Sequence, residues 1–446
     1  MGRKRRRQAS LWVAASELPK AASHPFYQRL NALLATADFD RFVEQQCEQY
    51  YAPVMGRPSL APGRYFRLLM VGYFEGLDSE RGIAWRTADS LAIRAFVGLA
   101  LDEHAPDHST ISRTRRLIDV ETHRAVFAWV HERLMGSGLL VGKTIGIDAT
   151  TLEANAAMRN IVRRDSGETY PEFLKGLATA SGVKTPTREA LARLDRRRKK
   201  TTSNKDWKSP TDPDARITKM KDGRTHLAYK AEHAVDLETG AIVAVTIQGA
   251  DEGDTSSIPE TLTEAIEHVD AALAADGGEG VHESGVSEVV TDKGYHSAAV
   301  VTEIQDLGLR TYIAEPDRGR RKWAGKAKAR AAVYANRRRI GRDKSKRLHC
   351  LRSERVERSF AHMYETGGLR RVHLRGRENI LKRVLIHGSA LNLGLLMRKS
   401  VGAGTPRGFT AVLISTCVAI LNVLCAPLSL LMPSTINDTD CMYHAA

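Results

Sequence analysis

Residues 144–152 read Thr144-Ile145-Gly146-Ile147-Asp148-Ala149-Thr150-Thr151-Leu152. The run is short, β-branched and apolar, which suits an extended strand and not a helix. Upstream the period is different. Apolar residues recur at helical spacing through Phe66, Leu69, Met70, Tyr73 and Phe74, and again through Leu91, Ile93, Phe96 and Val97. Residue 144 therefore marks a switch from helices to a sheet. Downstream, 226–235 and 241–248 predict a hairpin around Asp236-Leu237-Glu238-Thr239-Gly240, followed by a helix near 259–273. Strands are then expected at 287–292 and 310–313, with helices after Ser297, over 351–364 and near 378–397. The order β, β, β, α, β, α, β, α describes a mixed sheet flanked by helices, an α+β arrangement.

Four regions follow from composition. Residues 1–45 form a basic arm with leading helices, and 46–140 a helical segment in which a helix-turn-helix is expected to bind DNA. Residues 141–400 hold the sheet, with a polar insertion over about 153–225 and a basic region over 310–358. Residues 401–446 are an apolar tail. Within it, Phe409 to Met432 carries no charged residue and is long enough to cross a bilayer. Thr410, Ser415, Thr416, Asn422, Pro427 and Ser429 dilute it, so no membrane partner is expected. No convincing secretory signal is present, because the apolar stretch 11–15 after the basic residues 3–7 is too short.

The formal net charge is +15, from 67 Lys+Arg against 52 Asp+Glu. Its placement says more than its size. Between Arg310 and Arg358 there are 18 Lys+Arg and 5 Asp+Glu. Clustered cations of this kind suit a polyanion, whose phosphates release condensed counterions when neutralised. Five scattered cysteines without a Cys-x-x-Cys pair argue against a disulfide scaffold or a structural zinc site.

Two aspartates carry the chemical reading. Asp148 lies in an apolar strand, where a charge is costly unless it has a partner or a task. Asp292 ends a second apolar strand and is followed by Lys293-Gly294-Tyr295. Ligand sites collect at strand ends in open sheets. Two carboxylates held there repel, and divalent cations relieve the repulsion. A third carboxylate is expected from the helix containing Arg355-Val356-Glu357-Arg358-Ser359-Phe360. Glu357 lies beside its apolar stripe, and Glu354 competes for the role. The pattern points to a metal-dependent nuclease-type site.

The segments Asp107-His108-Ser109-Thr110-Ile111-Ser112-Arg113, Gly146-Ile147-Asp148-Ala149-Thr150 and Asp212-Pro213-Asp214-Ala215-Arg216 together resemble those of bacterial insertion-sequence transposases of the DDE type. The same holds for Tyr229-Lys230-Ala231-Glu232-His233, Gly249-Ala250-Asp251-Glu252-Gly253-Asp254, Asp292-Lys293-Gly294-Tyr295 and Val356-Glu357-Arg358-Ser359-Phe360. The resemblance spans roughly residues 50 to 400. It implies an RNase H-like catalytic domain in which Asp148, Asp292 and Glu357 (alternative Glu354) hold two Mg²⁺ or Mn²⁺ ions. The implied reaction is cleavage of transposon ends and transfer of the freed strand to target DNA. One departure is visible: relatives often place Tyr, Arg and Lys at set spacings around the glutamate, where this chain has Cys350, Ser353 and Tyr364.

The implied partners are double-stranded DNA, both terminal inverted repeats and target, and a second copy of the chain in a synaptic dimer. The place of action is the bacterial cytoplasm, on the nucleoid. For DNA contact the candidates are Arg113 and Arg116 on the helix after Asp107, and Lys293 and Arg358 near the metals. In the basic region they are Arg320, Arg321, Lys322, Arg337, Arg338, Arg339 and Arg355, with Trp323 placed to stack on a base. The alternative is a DNA-binding protein or regulator that keeps the fold and lacks the chemistry.

Overall fold

A computed structural model describes residues 24–52, 59–182, 186–197, 204–220, 223–275, 285–317, 319, 321–411 and 414. The apolar tail, the basic N-terminal arm and Arg320 thus lie outside the described residues, apart from the tail's first part. The chain opens with helices α1 (Pro25–Thr36), α2 (Phe39–Cys47), α3 (Pro62–Phe74), α4 (Glu80–Asp89), α5 (Leu91–Val97), α6 (His108–Leu117) and α7 (Val120–Met135). Then come β1 (Thr144–Glu153), β2 (Val162–Arg163), α8 (Tyr170–Ala180), α9 (Arg188–Arg197), β3 (Trp207–Lys208), β4 (Arg216–Lys219), β5 (Thr225–Asp236) and β6 (Ile242–Gly249). The chain continues through α10 (Asp254–Ala275), β7 (Glu288–Thr291), α11 (Ala298–Asp306), β8 (Arg310–Ile313), α12 (Ala327–Ile340), α13 (Asp343–Ala361) and α14 (Arg377–Val401).

Among the described residues β1 sits inside a six-stranded sheet. β5 pairs with it antiparallel on one side and β7 parallel on the other. β8 runs parallel to β7, while β6 and β4 share the far side of β5. Three antiparallel strands in a row followed by two parallel ones make this an RNase H-like mixed sheet. Alternation along β1 decides what each face receives. Gly146, Asp148 and Thr150 face α13, since Arg352 packs over Gly146 and Tyr364 bonds Thr150. The opposite face is covered by α10, whose Ser257 and Thr261 bond Glu232 of β5.

α14 is buried almost all round, from Ile380 to Met397. A helix without a polar face belongs inside a protein or a membrane. Arg377–Ala411 is long and apolar enough for a span, yet 94% of its most apolar window is buried within the fold. α14 packs on α3 and α7 on one side and on β6 on the other. Its Arg383 donates to the carbonyls of Leu77 and Asp78, at 2.5 and 2.7 Å. Lys382 donates to the carbonyl of Arg115 at 3.3 Å. A single buried apolar cluster consequently joins the helical layer to the sheet. The change at residue 140 is one of secondary structure, with no break in the core.

Several expectations change. α6 is capped by Asp107, which accepts from the Ser109 amide at 2.8 Å. It follows α5 through residues 98–107, however, far longer than the three or four residues of a helix-turn-helix turn. α10 begins at Asp254, earlier than Pro259 suggested, and carries that proline inside the helix, in its second turn. The basic region forms α12 and the first half of α13, to which the sequence assigns no element; α12 buries little, only Ala332, Val333 and Asn336.

Asparagines close both edges of the sheet. Asn392 accepts from the Ile242 amide at 3.0 Å and donates to its carbonyl at 2.8 Å. On β8, Asn336 accepts from the Ile313 amide at 3.1 Å and donates to its carbonyl at 2.9 Å. Each carboxamide substitutes for a missing neighbouring strand. The Ile242 carbonyl is also bonded by His131 at 2.8 Å, whereas Ile313 has Asn336 alone for both groups. Asn336→Leu is therefore expected to cost about 2–4 kcal/mol and Asn392→Leu about 1–3 kcal/mol, read from urea unfolding. Losses under about 0.5 kcal/mol would show that these edges need no cap.

Candidate active site

The parallel pairing of β1 with β7 brings the two aspartates together. Thr144, Ile145 and Gly146 lie opposite Glu288, Val289 and Val290, each offset by 144 residues. The same offset separates Asp148 from Asp292. Continuing the register by two residues past Gly146 sets Asp292, just beyond the end of β7, beside Asp148. Their proximity is felt electrostatically. Burial raises the Asp148 carboxyl above the ordinary aspartate range, Arg352 pulls it back, and Asp292 pushes it up again.

Arg352 of α13 reaches across Gly146 to donate to Asp148 Oδ2 at 2.6 Å, with the arginine side chain 11% and the aspartate 25% exposed. A side chain at position 146 would collide with Leu237 and press on Arg352, so glycine keeps this approach open. Asp292 caps a short 3₁₀ turn and accepts from the Gly294 amide at 2.8 Å. Gly294 is hemmed in as well. A Cβ there would stand 3.1 Å from Asp292 Oδ1 and 2.4 Å from Asp254 Oδ2.

Asp254 brings residues to which the sequence assigned no role. Lys230 Nζ donates to Asp254 Oδ1 at 2.6 Å and to Ser257 at 2.8 Å. Glu232, fully buried, accepts from Tyr295 at 2.7 Å and Ser257 at 2.9 Å, and also from Thr261. Burial raises its carboxyl, and the hydrogen bonds and Lys230 oppose that. This network anchors Tyr295 directly after the Asp292 turn. Of its members, Lys230, Glu232 and Asp254 lie in the Tyr229–His233 and Gly249–Asp254 segments and Tyr295 in the Asp292–Tyr295 one. The available signal was polar residues at period two inside a strand, whose partners 24 to 63 residues away only the fold supplies.

The helix carboxylates separate by direction. At about 100° per residue, the face of α13 holding Ser345, Leu348, Arg352, Val356 and Ser359 meets the sheet. His349, Ser353 and Glu357 follow at four-residue spacing along a row that begins beside the sheet at His349, which senses Asp292, and turns outward to about 140° from Arg352 at Glu357. Glu357 is exposed there. Glu354 points away from the sheet and pairs with Arg358 at 2.8 Å. Arg355 and Arg358 occupy the opposite flank, against the Gly240 turn. Arg358 is thus not on the carboxylate side as expected.

The basic region divides likewise. Arg339 donates to the carbonyl and hydroxyl of Thr311 at 2.9 and 2.8 Å, so it holds β8. Arg337 and Arg321 both pair with Glu315, at 2.5 and 3.0 Å. Trp323 is half-buried and tilted against Tyr334 at 6.4 Å, not open for a base. Lys322, Arg338 and Lys293 are exposed, as are Arg113 and Arg116 on α6. The intervening Arg115 is buried and paired with Glu80.

The donors fit a hard divalent cation, since both adjoining groups are carboxylates whose mutual repulsion a cation would relieve. No group of three or more His, Cys, Asp or Glu close enough to hold an ion occurs among the described residues.

A sheet of this order, with one carboxylate on its central strand and another at the adjoining strand end, defines an RNase H-like domain of the nuclease type. The transposase DDE domain family matches residues 180–393, and a transposase domain family (DUF772) matches residues 17–117. The chain belongs to the DDE transposases of the insertion-sequence type. Such enzymes act on DNA and generally use divalent metal ions. No curated protein and no solved structure matches. Asp292 and Glu357 fall within the DDE match, whereas Asp148 precedes it, so its place beside Asp292 rests on the strand register.

The Asp148–Arg352 pair has a pH signature. With the folded carboxyl above its unfolded value, charging Asp148 opposes folding. That cost is complete at neutral pH, shrinks as pH falls towards the ordinary aspartate pKa of about 4, and disappears well below it, where the group is protonated in both states. Arg352→Gln removes the influence that lowers it. The variant is expected to lose about 2–3 kcal/mol at pH 7 and distinctly less near pH 4. Equal losses at both pH values in thermal unfolding would contradict the pairing.

Proposed function

We propose that this transposase cleaves phosphodiester bonds at the ends of an insertion sequence and joins the freed 3′-hydroxyl to target DNA. The observation that supports the reading is the β1–β7 register, whose continuation sets Asp148 beside Asp292, as two of the three carboxylates of a DDE site would stand. Asp148, Asp292 and Glu357 would hold two Mg²⁺ or Mn²⁺ ions, which when bound activate the attacking oxygen and stabilise the leaving one. The chain's own contribution is positional. Gly294 and Asp254 confine the Asp292 turn, the Tyr295–Glu232 bond fixes its far end, and Arg352 holds Asp148 until a stronger cation competes.

DNA would run along the exposed cations. Lys293 sits one residue from Asp292, and Lys322 and Arg338 mark the basic region's outer side. Arg113 and Arg116 give α6 a cationic surface of its own, held in place by Arg115 beneath. Two transposon ends must be brought together, which calls for two copies of the chain. The setting would be nucleoid DNA in a bacterial cytoplasm.

Cleavage of duplexes carrying the element's ends, assayed in Mg²⁺, tests the chemistry. Asp148→Ala and Asp292→Ala are each expected to lower the rate more than about a hundredfold, beyond what loss of a metal's supporting shell costs. Glu357→Gln should do the same and Glu354→Gln should not; the reverse pattern would exchange their roles. Undiminished cleavage by either aspartate variant would favour a binding protein that lacks the chemistry, with Asp148 serving only as Arg352's partner.

DNA affinity tests the cations separately. Arg338→Gln and Lys322→Gln should each reduce the slope of log affinity against log salt by about one. Arg339→Gln should act on stability instead, because its side chain is committed to Thr311.

A further inference from the structure

Behind α13, on the flank away from Glu357, lies a second basic site. Arg355 and Arg358 of α13, His362 from the π-helical turn after it and Arg398 from the last turn of α14 line a cavity of about 50 Å³. Tyr73 of α3, the Thr239–Gly240 turn between β5 and β6, Leu391 and Leu395 of α14 and the Gly404–Thr405 segment share its walls, and no carboxylate lines it. Gly240 has φ +82°, which favours glycine, and a Cβ there would meet the Arg355 side chain at ordinary contact distance. Arg358 has Glu354 as a partner on the solvent side. Arg355 Nε is sealed from solvent and has no hydrogen-bond partner among the described residues. Burial, then Arg398 and Arg358, push the His362 imidazole below its ordinary pKa, so the ring adds no charge of its own.

Three guanidinium groups converge on one cavity with a single carboxylate among them, Glu354 on the solvent side of Arg358; the positive charge left over is repulsive, and an oxyanion would relieve it. Planar forks of donors match phosphate oxygens in number and direction. At roughly 10–15 Å³ for each water-sized centre, the cavity has room for about the four oxygens of one phosphate and for no sugar or base. We propose that Arg355, Arg358 and Arg398 form a phosphate-binding site separate from the carboxylates. The anion is either one phosphodiester of a bound DNA or a free phosphate. Only the DNA source rests on the transposase reading; the anion site itself does not.

Because the cavity joins α13, α14 and the β5–β6 turn, an anion seated in it would cross-link three parts of the fold. Inorganic phosphate titrated into the full chain, against chloride at matched ionic strength, should therefore give saturable thermal stabilisation. Arg355→Gln and Arg398→Gln should each weaken that phosphate affinity at least tenfold. Arg398→Lys, which keeps the charge and loses the fork, should fall between. Lys346→Gln, an exposed cation of the same helix, should match the parent protein. Unchanged phosphate affinity in both glutamine variants overturns the site. A salt slope for duplex DNA that falls by about one in Arg398→Gln identifies the anion as backbone phosphate, whereas an unchanged slope with weakened phosphate binding identifies a free anion. A chain that binds phosphate here and cleaves no DNA would refute the cleavage reading alone.

Discussion

Parallel pairing between β1 and β7 is the constraint on which the rest of the molecule turns. A parallel pair cannot be closed by a tight turn; it needs a crossover, and here the crossover contains the insertion, the β5–β6 hairpin and α10. Once three backbone positions are matched, the side chains beyond them have no freedom of register. Asp148 and Asp292 become neighbours because of hydrogen bonds made by Thr144 to Gly146 and their partners. The two like charges that result must be balanced by cations. Arg352 supplies one from the helix above.

That balance explains how α13 is used. One helix presents three different chemistries in three directions, because 3.6 residues per turn distributes adjacent residues around the axis. Its buried face delivers Arg352 to Asp148 and Ser359 to His233, at 2.6 and 2.9 Å. One flank runs outward from His349, which senses Asp292, to the exposed Glu357. The other carries Arg355 and Arg358 to a cavity shared with α14. The density of charge in this region therefore has several meanings at once, and its individual arginines do different work.

Much of the fold was readable from local pattern. The strand at 144–152, the hairpin at 225–249, the strands at 288–291 and 310–313 and the helix at 377–401 all follow from period and composition, since each buries an apolar face of regular spacing. α12 was hidden because it is helical with only a narrow contact, and charged residues mask that signal. The aspartates could be picked out as charges in apolar strands. Lys230, Glu232, Asp254 and Tyr295 could not, because polar residues announce their role only through partners, and these come from three separate elements.

The sequence alone determined which residues are acidic in apolar surroundings, where the cations cluster and which segments extend or coil. Such properties depend on a residue and its near neighbours. Tertiary structure alone decided that Asp148 meets Asp292, that Arg352 and Arg339 are turned inwards while Arg338 is left outside, and that Arg398 comes to stand opposite Arg355. These are contacts between residues tens to hundreds of positions apart. Their geometry is set by sheet register and helix packing, which no local pattern encodes.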